Sequence, residues 1–107
     1  MDNALTDLKQ GHTSGPWEVE QPMDHELWIV EAGKEAYEWR VIAGCPFPDE
    51  KGDISRQQVE ANARLIAAAP ELLEALQAAS AYIGTTDRGA GIKRIADAAI
   101  RKATGAA

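Results

Sequence analysis

Cysteine, histidine and the aromatic residues are all scarce in this chain of 107 residues, and each shortage removes a class of function. One cysteine, Cys45, cannot close an internal disulfide or build a cysteine-based metal site, and it fits a reducing compartment. The two histidines, His12 and His25, stand in neither an H-E-x-x-H pattern nor any His/Cys ligand spacing, so no metal centre is expected. Ser14, Ser55 and Ser80 lack a G-x-S-x-G context, and Cys45 has no partner base in sequence, so no hydrolytic nucleophile is expected either. Catalytic residues are therefore read as none, cofactors as none, and the chain as no enzyme.

Cations are in the minority. With 17 acidic against 11 basic residues and a formal net charge of −6, the chain lacks the basic face that displaces counterions from a nucleic acid duplex. That balance still allows a small phosphorylated ligand held by a few local cations. No stretch approaches the ~20 uninterrupted apolar residues of a spanning helix, and the opening MDNALTDLKQ has no apolar run of signal-peptide length. A cytoplasmic location, with no membrane contact, is the expectation.

What the chain does have is one long helical pattern, from Ser55 to Ile83. Val59, Ile66 and Leu73 lie seven apart, with Ala69, Leu76 and Ile83 as the partner series and Leu65 and Leu72 beside them, which makes one buried stripe. Ser55 and Gln58 form the S-x-x-Q arrangement that marks a helix start, each side chain serving the other's backbone N–H. Pro70 has no N–H to donate and disfavours helical geometry at Ala69, so the spacing predicts a kink there and a second segment beginning at Pro70.

The rest of the chain reads as a partner for that helix. Residues 1–14 are polar and are taken as a flexible tail, and 15–107 as a single α+β domain. Trp17 and Val19 alternate with acids after Gly15-Pro16, predicting a first strand; Leu27 to Glu31 predicts a second, and Ala36 to Ala43 a third, with Tyr37, Trp39 and Val41 on one face. Loops are expected over Glu20–Glu26, around Pro22, and over Gly44–Asp53, where prolines flank Phe47. A connector from Gly84 to Gly91 then leads to a last helix from Ile92 to Ala103, closed by Gly105. The expected fold is a three-stranded antiparallel meander followed by a C-terminal helical hairpin. Its contacts are rich in alanine and aromatics are 6% of the chain, so the core is thin and a homo-oligomer is expected.

Few residues offer binding chemistry. Phe47 reads either as a lid tucked on the core or as a stacking surface for a planar ligand. Asn62 falls on the predicted stripe, where its amide either fixes register or reads a ligand edge. Arg88 and Lys93 flank Gly89-Ala90-Gly91, which reads as a plain loop or as a cradle where free N–H groups meet a phosphate. Arg64 points away from the stripe, toward solvent or a neighbouring subunit. Glu71 and Glu74, three apart on a helix, describe a solvated face.

The string EANARLIAAAPELLEAL from Glu60 to Leu76, with GPWEVE at Gly15 to Glu20 and AAIRKATG at Ala98 to Gly105, resembles a group of small phage and prophage proteins. The order of an antiparallel sheet and then two helices is similar to that of the first anti-Thoeris family, oligomeric proteins that sequester cyclic ADP-ribose-type immune signals. That resemblance implies a sponge for a nucleotide signal in the host cell, with Phe47 stacking on the base and Asn62, Arg64, Arg88 and Lys93 reading ribose and phosphates. The competing expectations are an acidic inhibitor or adaptor that docks on a host protein, through Glu18, Glu20, Glu26, Glu31 and Glu35, and a structural oligomer.

Overall fold

The computed structural model describes residues 11–49, 54–83 and 87–105, the side chains at 87 and 88 excepted. The expected tail up to residue 10, the end of the Phe47 loop at 50–53, and 84–86 of the connector lie outside the described residues. Strands β1 (Trp17–Met23), β2 (Glu26–Glu31) and β3 (Val41–Pro46) form one antiparallel sheet in the order β1-β2-β3. Helices α1 (Arg56–Ala67), α2 (Ala69–Tyr82) and α3 (Asp87–Thr104) follow. This is the α+β meander and helix layout that the residue pattern predicts. The chain divides into two compact units, Thr13–Pro70 with the sheet and α1, and the stretch from Glu71 onward with α2 and α3.

β1 and β2 are joined by the two residues Asp24 and His25, with Trp17 opposite Glu31, Val19 opposite Ile29 and Glu20 opposite Trp28. Between Glu20 and Met23 the register shifts, so Gln21 and Pro22 together face one residue of β2. The expected loop around Pro22 is thus part of the strand. A proline cannot donate to a ladder, and an edge strand at a bulge is where that loss is harmless.

The third strand begins later than predicted. Ala36–Glu38 is a turn of 3-10 helix, in which the Glu38 carboxylate accepts from the Glu35 N–H at 3.2 Å, and Gly33 takes a φ of +78° to start the loop. Trp39 then leaves the strand path to donate its indole N–H to the Lys34 carbonyl at 3.2 Å. β3 instead continues through Gly44 to Pro46, and pairing goes one step further with the Phe47 N–H on the His25 carbonyl at 2.8 Å. A local hydrogen-bonded turn therefore wins over the alternating pattern of Tyr37, Trp39 and Val41.

Packing in the first unit runs through β2. Leu27 and Ile29 meet Val59 and Ala63 of α1 in a buried cluster, ringed by half-buried Trp17, Val19, Ala43, Cys45, Phe47 and Ile66. Val41 pairs with Val30 and Ala43 with Ile29, so Ile42 is an extra residue in β3, and its side chain also joins this cluster. The Trp17 indole donates to the carbonyls of Thr13 and Ser14, both at 3.2 Å, which ties the residues before β1 to the strand.

Helix α1 starts as predicted. Ser55 Oγ accepts from the Gln58 N–H at 3.1 Å while the Gln58 side chain accepts from the Ser55 N–H at 2.8 Å. The buried face is rotated, however, from the one the long pattern suggests: Val59 and Ala63 are buried, Ile66 and Ala67 half-buried, and Asn62 and Leu65 exposed. The continuous seam fails because the chain is not one helix. Ala68 (φ −84°, ψ −3°) separates α1 from α2, and Pro70 sits in the first turn of α2, where its missing N–H is no loss.

Removal of side chain from the two faces of α1 and its sheet should give opposite results. Ile29→Ala is expected to lower the unfolding free energy by about 2–5 kcal/mol, since a fully buried residue leaves a cavity. Leu65→Ala should stay within about 0.5 kcal/mol. Urea denaturation followed by circular dichroism reads both.

Candidate functional site

Alternation along the strands sorts the first unit into the side that α1 covers and an opposite side. Trp17, Val19, Leu27, Ile29, Ala43 and Cys45 belong to the side that α1 covers. Glu18, Glu20, Glu26, Trp28 and Val30 belong to the other, by the pairing of Glu18 with Val30 and Glu20 with Trp28. Three carboxylates around a tryptophan are thereby placed on one surface. Val30 is fully buried there, and Trp28 is half-buried with its ring edge-on to Trp39, centroids 6.4 Å apart and planes at 76°. The Glu26 carboxylate lies over Gly44, where a Cβ would approach its Oε2 to 3.3 Å.

The electrostatics of this side are unbalanced. Partial burial, then the charge of Glu18 and a hydrogen bond to it, raise the Glu20 carboxyl above its ordinary range. Two acids at i and i+2 of an edge strand repel each other. Glu31 is treated differently: its side chain is almost fully buried and accepts from Arg40 Nε at 2.6 Å and Nη2 at 2.9 Å, a bidentate pair. One acid of the meander is thus neutralised inside the fold, and those beside Trp28 are half-buried on the other side of the sheet.

The residues expected to bind a nucleotide are spread over both units. Phe47 is half-buried against the core cluster, and the Arg56 guanidinium stands 3.9 Å over its ring, a cation–π contact. Asn62 and Arg64 are both exposed on α1. Arg88 falls in the first turn of α3, its side chain outside the described set, and Gly89-Ala90-Gly91 lie within that helix, not in a loop ahead of it. Their N–H groups are therefore largely committed to the helix. Lys93 Nζ donates to the Ser80 carbonyl at 2.9 Å and to Ser80 Oγ at 3.2 Å, with the Asp97 carboxylate 3.7 Å away. Ser80 Oγ in turn donates to Asp97 Oδ1, so the lysine is held inside the α2–α3 pair.

Other chemistry finds little footing. Burial, followed by the charge of Glu26, pushes the Cys45 thiol up from its ordinary value, which keeps it protonated at neutral pH. Among the described residues no group of three His, Cys, Asp or Glu could hold a metal ion, and no helix is long and apolar enough to cross a membrane. Sequence reasoning missed Trp28 as the centre of the face opposite α1, and missed Arg56 over Phe47. The first was readable from strand alternation; the second had no signal.

A three-stranded antiparallel meander followed by helices defines a small α+β protein. The family model described as Salmonella phage P22 protein Y8K6 matches residues 5–107, and the chain belongs to that phage protein family. No curated protein and no solved structure matches it.

Two variants test the charge arrangement. Arg40→Ala should destabilise the chain by about 1–3 kcal/mol, a figure reduced for the arginine's own exposure, because the buried Glu31 carboxylate loses two hydrogen bonds; Glu31→Gln in the same chain should recover part of it. Glu20→Gln should raise the melting temperature at pH 7. A raised carboxyl pKa means that the folded state holds the proton more tightly than the unfolded state, so the cost of ionising Glu20 is felt above the raised value and is absent below the ordinary one. The gain from Glu20→Gln should accordingly vanish as the pH falls below the usual carboxylate range, in a melting series against pH.

Proposed function

We propose that this phage-family protein acts by binding and not by catalysis, and that its first unit docks on a basic surface of a host protein. The observation that supports this is the charge distribution: Thr13–Pro70 contains eleven acids against five bases, a net of −6, equal to the formal charge of the whole chain. On the sheet face opposite α1, half-buried Glu18, Glu20 and Glu26 stand on the same side as half-buried Trp28. A lysine or arginine laid on that indole would gain cation–π attraction and carboxylate partners together, and the repulsion between Glu18 and Glu20 would be relieved on contact. Blunting a host response by occupying such a protein is the role this chemistry suits.

Sequestration of a nucleotide signal such as cyclic ADP-ribose, by Phe47, Asn62, Arg64, Arg88 and Lys93, has the likeness of layout to the first anti-Thoeris family in its favour. The side chains offer it less, since Arg56 already stands over Phe47 and Lys93 is engaged by Ser80 and Asp97. The host cytoplasm is the location that either role requires.

The intact chain on a resin should retain a basic protein from host lysate at low salt and release it as salt is raised, because contacts between exposed charges are screened within about 10 Å at 0.1 M. Glu18→Lys with Glu20→Lys should abolish retention. Undiminished retention by that double variant overturns the docking face. A melting scan against cyclic ADP-ribose and cyclic dinucleotides separates the second reading: a ligand at 100 times its dissociation constant should add ~2.7 kcal/mol, and no shift across the panel removes it.

A further inference from the structure

Helices α2 and α3 each carry two apolar stripes, one buried or half-buried and one exposed. Ser80 on α2 meets Lys93 and Asp97 on α3, and Leu73 and Leu76, on the same side of α2 as Ser80, and Ala96 and Ile100, on the same side of α3 as Lys93, are buried or half-buried. The second stripe on α2 is Leu72, Ala75, Ala79 and Tyr82, all exposed, with Leu72 at 52% and Tyr82 at 93%. On α3 it is Ile92, Ile95 and Ala99, with Ile92 at 60% and Ile95 at 72% exposed. Spacings of three and four place each set on one side of its helix.

We propose that this face binds a second copy of the same chain, the two helical pairs forming an antiparallel four-helix bundle in which α2 of each chain lies on α3 of the other. Charge complementarity selects this occupant and this pairing. The exposed acids Glu71 and Glu74 are the charged residues of α2, which has no cation, whereas α3 ends in exposed Arg101 and Lys102 and has five cations against two acids. Ser80 near the end of α2 meets Lys93 and Asp97 in the first half of α3, so the helices are antiparallel and the start of α2 lies beside the end of α3. A two-fold axis running along the helices then stacks α2 on the partner copy's α3, with Glu71 at the margin of the exposed α2 stripe and Lys102 at the margin of the exposed α3 stripe at the same end, whereas Glu74 and Arg101 lie on the far sides of their helices. An axis across the helices would stack acid helix on acid helix and basic on basic. The chosen pairing rests on residues of α2 and α3 alone, so it stands independently of the docking role.

Sedimentation equilibrium of the intact chain at micromolar concentrations should show a species of twice the chain mass. Ile95→Glu, at a position already exposed, should keep its helical circular dichroism and sediment as a single chain. Glu71→Lys, and separately Lys102→Glu, should each weaken association by about threefold or more, and an equimolar mixture of the two should restore it. A single-chain mass for the natural sequence at every concentration, unchanged dimers of Ile95→Glu, or a mixture that fails to regain association would each overturn the proposal.

Discussion

The contact on which the first unit depends is the close approach of α1 to the central strand, through Ala63. Its methyl group is fully buried between Val59 on its own helix and Leu27 and Ile29 of β2. A larger residue there would hold the helix off the sheet and open the ring of half-buried side chains to water. Among the described residues only Ile29 and Val30 are large and fully buried, so the core is narrow. Much of its burial is borrowed from strand edges. The extra residue Ile42 in β3 brings one more apolar side chain inward, and the Trp17 indole, anchored on two carbonyls ahead of β1, closes one end.

Charge in this protein is segregated by unit and, in the helical pair, by helix. The sheet unit holds the whole net negative charge of the chain, while α2 is acidic and α3 is basic. Within the fold, opposite charges are brought together where burial would penalise them, as with Glu31 and Arg40, or Lys93 between Ser80 and Asp97. Where charge is left unbalanced it lies at surfaces. Carboxylates gathered on a sheet face strongly bias what that face will meet, by raising the rate of encounter with basic surfaces and repelling acidic ones. The two binding surfaces argued for above are thus of different kinds, one set by charge around a tryptophan and the other by apolar side chains with a charged margin.

For a nucleotide the fold is less prepared. Arginine over an aromatic ring, as at Arg56 and Phe47, resembles the stack that a base would make, but it fills the position with the protein's own side chain. The glycines before Lys93 are wound into α3, where regular hydrogen bonding replaces the loop that could wrap a phosphate.

Local chemistry was decisive for what the sequence by itself determined: α+β class, the capped start of α1 at Ser55, the break at Pro70, and the first two strands all follow from rules that act within a few residues. The placement of β3, the rotation of α1 and the fate of the candidate ligands were decided by tertiary structure. Alternation at Tyr37, Trp39 and Val41 could not reveal that a turn closed by Glu38 would displace the strand, because pairing with β2 is a long-range choice. Nor could spacing alone put Asn62 outside, since α1 turns Val59 and Ala63 to the sheet and Asn62 lies one position round the helix from Ala63. Phe47 and Lys93 were recognisable as residues with binding chemistry, but Arg56 and the Ser80–Asp97 pair reach them only once the chain is folded, so the chemistry is spent on packing.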